Sequence, residues 1–215
     1  MASKYPSFFN LCNEWTDFFY STEIENILIP ILNELEDEKE YYPEDCNIFK
    51  CFYMTPFKNI NVVMVDKKPY NNGTATGLSF DIKLGNPLNP LLQTIYKELD
   101  LEGFYPVKDG NLEFWAKQGI LLLNFSLTVD SSNYANSHKN LWSSFSEKVI
   151  KKISEKDFVI WVFLNEESTE NCELKEYINK NHIVLEVSQK SFIGSGIFKN
   201  INKELTKKGL NKISW

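Results

Sequence analysis

Four short apolar runs recur along the chain, Asn61 to Val65, Ile120 to Asn124, Phe158 to Leu164 and His182 to Val187, each rich in β-branched or aromatic residues. Runs of this length and character predict buried parallel strands. Between and after them, apolar residues recur at helical spacing over Leu88 to Leu99, His138 to Ser154, Glu170 to Asn179 and Phe198 to Lys208. In the second of these, Leu141, Phe145, Val149, Ile150 and Ile153 share one side. Strand and helix in alternation predict right-handed βαβ crossovers, hence an α/β, three-layer sandwich whose central four-stranded parallel sheet is flanked by helices. No repeat, low-complexity tract or linker interrupts residues 1–215, so a single domain is expected. In such sheets a site forms beyond the carboxyl ends of the strands. That directs attention to the loops Asp66 to Asn71, Asn124 to Leu127, Asn165 to Ser168 and Ser188 to Gly194.

Composition narrows the chemistry. No run approaches the roughly 18 to 20 apolar residues of a membrane span, and Glu14, Asp17, Glu23 and Glu25 argue against a secretory signal. Cys12, Cys46, Cys51 and Cys172 form no CxxC pair, and His138 and His182 complete the scattered set of soft ligands. Reduced thiols in a cytoplasmic protein with no metal and no cofactor are therefore expected. The formal net charge is -6. Residues 1–50 hold eleven Asp and Glu against three Lys, which leaves the remainder slightly positive. Every basic residue is lysine, so no guanidinium fork is available for bidentate recognition of phosphate or guanine.

Several separate motifs then agree in order. Thr55-Pro56-Phe57 precedes the first apolar run, Pro69-Tyr70 follows it, and Gly77-Leu78-Ser79-Phe80 comes next. Ile95-Tyr96-Lys97-Glu98-Leu99 precedes Trp115-Ala116-Lys117-Gln118-Gly119-Ile120-Leu121-Leu122-Leu123-Asn124. Leu127-Thr128-Val129, Ala135-Asn136-Ser137-His138 and Ile213-Ser214-Trp215 complete the series. Collinear over nearly the whole chain, this pattern resembles family 1 uracil-DNA glycosylase. The resemblance implies that Asn124 meets the amide edge of uracil, Phe80 stacks on its ring and Tyr70 excludes a 5-methyl group.

At two positions the pattern departs from the family's. Anchored on Pro69-Tyr70, the family's Gly-Gln-Asp-Pro-Tyr-His motif reads Asp66-Lys67-Lys68-Pro69-Tyr70-Asn71, which puts Lys68 where the resemblance implies the water-activating aspartate. In the last loop Gln189 replaces the histidine that hydrogen-bonds the departing base. Breaking the glycosidic bond builds positive charge on the sugar. One unit charge at about 4 Å contributes roughly 4 kcal/mol at an effective dielectric near 20, so reversing its sign could raise the barrier by up to about 8 kcal/mol. Gln189 in place of the oxyanion donor would cost about 3 to 4 kcal/mol more. The expectation is therefore a catalytically inactive homologue that holds a uracil-like base, a nucleotide or a nucleotide signal without cutting. Lys67, Lys68 and Lys190 would form a cationic rim for phosphate, and a phage or mobile-element counter-defence role would fit. Two alternatives stay open. One is a replication or repair interaction protein that uses the fold as a scaffold for a protein partner. The other is a glycosylase with altered chemistry, in which a neutral Lys68 attacks the sugar or Asp66, displaced by several ångströms, supplies a carboxylate.

DNA contacts are expected to be weak, because Leu91 stands where the resemblance implies a phosphate-contacting serine and Val162-Phe163 replaces a Gly-Ser pair. Ile193 aligns with the apolar wedge that enters the minor groove. His138 is expected to be structural, hydrogen-bonded in its helix-entry turn. The series Lys199, Lys203, Lys207, Lys208 and Lys212 forms either a solvated helix face or a nucleic-acid contact. Acidic Glu34 to Asp45, with Tyr41 and Tyr42 inside it, is either a solvated loop or a protein-docking segment.

Overall fold

The computed structural model describes residues 13–38, 40–132, 138–164 and 174–215. Four strands form the central sheet: β2 (Val62–Asp66), β3 (Ile120–Asn124), β5 (Ile160–Phe163) and β6 (Ile183–Glu186), all parallel, in the order β3-β2-β5-β6. Each lies within one or two residues of its apolar run. Three of them are buried along essentially their whole length. The fourth is not, which corrects the expectation. β6 is an edge strand that alternates between half-buried and exposed positions, with Val184 38% exposed. β3, at the opposite edge, is buried throughout, so the alternation marks one face of β6 as open to water and not its edge position as such.

Helices flank the sheet. The expected ones appear as α4 (Pro90–Leu101), α6 (Lys139–Ser154) and α7 (Ile197–Lys207). Of the expected helix over Glu170 to Asn179, residues 170–173 lie outside the described residues, Leu174 and Lys175 are helical, and the chain then turns, so the expected helix is corrected to a short end there. Four more were not read from the sequence: α1 (Asn13–Phe19), α2 (Thr22–Asp37), α3 (Lys50–Met54) and α5 (Glu113–Lys117). α2 buries Ile24, Leu28, Ile31, Leu32 and Leu35 at helical spacing, and the Ser21 side chain caps its first turn by accepting from the Ile24 N–H. Pro30, which argues against a helix interior, is tolerated because it sits on the exposed side, where water reaches the carbonyl it leaves unbonded. Seven and five residues in α1, α3 and α5 are too few for periodicity to register.

The acidic segment is corrected as well. Glu34 to Asp37 form the last turn of α2. Tyr41 and Tyr42 then form β1 (Tyr41–Tyr42), which pairs antiparallel with β4 (Val129–Asp130). Trp15, Phe19, Phe49, Phe52, Trp142 and Phe145 make an edge-to-face aromatic cluster where α1, α3 and α6 meet. Trp115, Phe192, Phe198 and Trp215 make a second, joining α5, α7 and the C-terminus. Buried aromatic pairs of this kind contribute about 0.5–1.5 kcal/mol each beyond the area they bury.

Candidate functional site

β2 and β3 run side by side, and their ladder pairs Asp66 with Asn124 as the last rung. It continues into the loops, because the Phe125 N–H donates to Asp66 O at 2.8 Å and the Ser126 N–H to Lys67 O at 2.9 Å. This extra pairing fixes the backbone of Asp66 and Lys67 just past the sheet. A cleft of about 740 Å³ opens there. Asp66, Lys67, Lys68 and Tyr70 form one wall, the start of α4 (Asn89, Pro90, Leu91, Thr94) another, and Leu164 and Phe192 close it. This is the carboxyl edge of the sheet, as the strand order requires.

Phe80 and Asn124 lie behind these walls. Phe80 is 1% and Asn124 4% exposed. Phe80 is the one described non-glycine residue with a positive φ, 65°. That conformation costs about 1–3 kcal/mol and persists only when its surroundings impose it. Both neighbours do so. The Ser79 N–H donates to Leu122 O of β3 at 3.1 Å and its hydroxyl to Met64 O of β2 at 3.3 Å. On the other side Asp81 accepts from the Thr76 hydroxyl and the Leu112 N–H. Burial raises the Asp81 carboxyl above its ordinary range, against the opposing effect of those two donors. Gly77 has φ +87°, and a Cβ there would stand 1.9 Å from Asn47 O, so only glycine fits. The Tyr70 hydroxyl donates to Phe80 O at 3.4 Å, which ties the cleft wall to the ring behind it.

Two amide groups at the site have no partner. The Oδ1 of Asn124 is buried without a hydrogen bond, and so is the Nδ2 of Asn89, whose own oxygen caps α4 by accepting from the Leu92 N–H at 2.9 Å. One is an orphaned acceptor and the other an orphaned donor. Asp66 is the acidic residue among the described walls of the cleft, and its Oδ1 accepts from the Lys67 N–H at 2.8 Å.

Of the expected site residues, the structure places Lys67, Lys68 and Tyr70 on one wall, with Phe80 and Asn124 buried behind. Lys190 stands exposed on the one-turn helix Gln189–Ser191, two residues before Phe192 of the cleft wall. The side chain of Gln189 and the loop Asn165 to Ser168 lie outside the described residues. Leu91 does line the cleft, whereas Val162 and Phe163 are buried inside β5 and offer nothing to a phosphate. His138 lies elsewhere. Its Nε2 meets Glu38 at 3.0 Å and its Nδ1 meets the Thr128 hydroxyl at 2.6 Å, and that hydroxyl also accepts from Trp142 Nε1 at 2.7 Å. The Glu38 carboxylate can only accept there, so the contact makes Nε2 a donor. Asn89 and Phe192 were not foreseen. The register of β2 against β3 would have pointed to Asp66.

Among the described residues no group of three His, Cys, Asp or Glu could hold a metal ion, and no helix is long and apolar enough to cross a membrane. No family model matches the chain. Curated relatives do. The uracil-DNA glycosylase of Campylobacter fetus is 39% identical over 209 residues, covering 93% of this chain and 88% of the relative. That of Aliivibrio salmonicida is 35% identical over 199 residues, covering 87% and 88%. The uracil-DNA glycosylase of Dictyostelium discoideum is 39% identical over 193 residues, and the match spans 54% of that longer protein. In fold, the chain superposes on mimivirus uracil-DNA glycosylase with a TM-score of 0.84 at 22% identity, covering 99% of this chain and 90% of the other. A variant of that enzyme in complex with UGI superposes with a TM-score of 0.85.

These relatives overturn the expectation of an inactive homologue that sequesters a free base, nucleotide or nucleotide signal for a phage or mobile element. They are named for glycosylase activity at 34–39% identity over most of this chain, and none is named for nucleotide binding. The charge argument behind that expectation rested on Lys68 and Gln189, with Asp66 kept as an alternative carboxylate. In the structure Asp66 and Lys68 line the same cleft.

Proposed function

We propose that this chain, which belongs to the uracil-DNA glycosylase family, takes uracil out of DNA and releases it as the free base. The observation that carries the reading is the orphaned Oδ1 of Asn124, an acceptor shut away from water at the inner edge of the cleft. Such a group costs about 1–3 kcal/mol when left unpaired. The imide N–H of uracil is the donor that satisfies it, while cytosine offers a lone pair at the same ring position and is repelled. Phe80, held in one conformation by both neighbours, supplies a fixed face for stacking. Tyr70, anchored to Phe80 O, fills the space that a 5-methyl group would need.

Bond cleavage sends the glycosidic electron pair out with the base, leaves positive charge on the sugar and ends when water adds there. Asp66 provides the carboxylate that stabilises the cationic sugar. Lys67 and Lys68 supply positive charge for the departing uracil anion and the flanking phosphates, and the N-terminus of α4 adds its dipole to the same cleft. In this assignment the lysine at the family's carboxylate position works on the leaving group, and the acid two residues earlier works on the sugar.

The test is incubation with single- and double-stranded DNA carrying one uracil, scored for free base and for alkali-labile strand breaks. Release from either substrate, and none from matched thymine DNA, supports the reading. No release from both overturns it.

A further inference from the structure

α7 begins without a cap of its own. Its N-cap residue is Gly196, at φ 67°, which has no side chain to accept from the first-turn N–H groups. Two carboxylates at the end of α4 hold it instead, Glu102 at the first turn and Glu98 at the loop just before it. Glu98, 0% exposed, accepts from the N–H groups of Gly194 and Gly196, the latter at 2.7 Å, and from the Ser195 hydroxyl at 3.3 Å. Glu102 accepts from Phe198 N–H at 3.0 Å and from Lys199 N–H. The segment they grip is otherwise prone to wander. Gly194 and Gly196 both have positive φ and open space around the position of a Cβ, so their freedom is not consumed by close packing.

Immediately before this grip stands Ile193, 48% exposed, and before it Phe192, buried in the wall of the cleft. The loop therefore presents one apolar tip at the cleft's rim, joined on one side to the core and on the other to a buried carboxylate. Entry of a base into the cleft requires it to leave the helical stack, and an apolar tip pressed into the gap offsets part of that cost. A tip on a loose loop loses this advantage to conformational entropy.

We propose that Glu98 is a positioning residue: through Gly194, Ser195 and Gly196 it holds Ile193 where it can wedge a duplex, and so sets how well the protein works on double-stranded relative to single-stranded DNA. The inference rests on the uracil-excision reading above. Single-stranded DNA has no paired stack to open, so the effect is confined to duplex.

The experiment measures uracil release from both substrates by the wild type, Glu98→Gln, Ile193→Ala and the double variant. Glu98→Gln, whose amide would face the Gly194 N–H with a donor, is expected to lower the duplex-to-single-strand ratio of kcat/KM about tenfold, with single-strand kcat nearly unchanged. The double variant is expected to be no worse in this ratio than Ile193→Ala alone, because Glu98 acts only through the loop. Equal losses on both substrates, or additive losses in the double variant, would overturn the proposal in favour of a purely structural role. If the wild type releases no uracil, the excision reading fails by itself. The grip is then read by amide hydrogen exchange, where faster exchange confined to residues 193–199 in Glu98→Gln supports it and unchanged exchange refutes it.

Discussion

The two halves of the sheet are built to different standards. In the β3–β2 half every position of β3 is buried, the ladder runs past the strand ends into Phe125 and Ser126, and Ser79, next to Phe80, hydrogen-bonds to both strands. In the β5–β6 half the outer strand alternates half-buried with exposed residues and ends as a sheet edge. The rigid half carries Asp66, Tyr70, Phe80 and Asn124, the groups assigned to recognising and releasing the base. Phe192 and Ile193, assigned to the rim, follow the edge strand. Discrimination between bases needs fixed geometry, while admitting a base from a duplex needs a loop that reaches out, and the fold separates the two tasks.

The sharpest test of this asymmetry is stability. Leu122→Ala in β3, at a position with no exposure, is expected to destabilise the protein by about 2–5 kcal/mol. Leu185→Ala in β6, only partly buried, is expected to cost less than half as much. Similar shifts in urea midpoint for the two would break the comparison. Next in size, Asp66→Asn is expected to slow single-turnover uracil release about a hundredfold, and Lys68→Asp to slow it as well by putting negative charge where the departing uracil anion develops. An unchanged rate in the first would remove Asp66 from its assigned role. Tyr70→Ala should leave uracil release within about tenfold of the wild type and admit thymine, measured as release of free thymine from ordinary DNA.

The smallest expected effect is on the pH dependence of stability. Burial raises the carboxyls of Asp81 and Glu102 above their ordinary range. Folding therefore favours their protonated forms. The stabilisation is fully present below the ordinary carboxylate range near pH 4 and is lost as pH rises through the elevated values. Thermal midpoints recorded between about pH 4 and 7 should fall less steeply with rising pH in Asp81→Asn and Glu102→Gln than in the wild type. An identical slope would show that these carboxyls ionise in the folded state without penalty.

Much of this architecture was legible beforehand. The four apolar runs located the strands, and the motifs from Thr55-Pro56-Phe57 to Ile213-Ser214-Trp215 carried the family, because strand burial and short recognition motifs are written in contiguous residues. α2 was not read from the sequence, although Ile24, Leu28, Ile31, Leu32 and Leu35 recur at helical spacing, and the tertiary placement shows Pro30 on its exposed side. The make-up of the cleft was less legible. Counting along Asp66-Lys67-Lys68-Pro69-Tyr70 gives the order of side chains, but that they share a cleft with Asn89, Leu91 and Phe192 depends on packing between distant segments.

What the sequence determined by itself is therefore the set of elements, their order and the family, since each depends on local periodicity or on motifs a few residues long. What only the tertiary structure decided is which distant groups meet. Asp66 and Phe192 line one cleft, Asn124 keeps an unpaired oxygen, and Glu98 and Glu102, at the end of one helix, hold the entry and first turn of another nearly a hundred residues away. A capping carboxylate and its N–H partners need proximity in space and not in sequence, and no pattern along the chain encodes that distance.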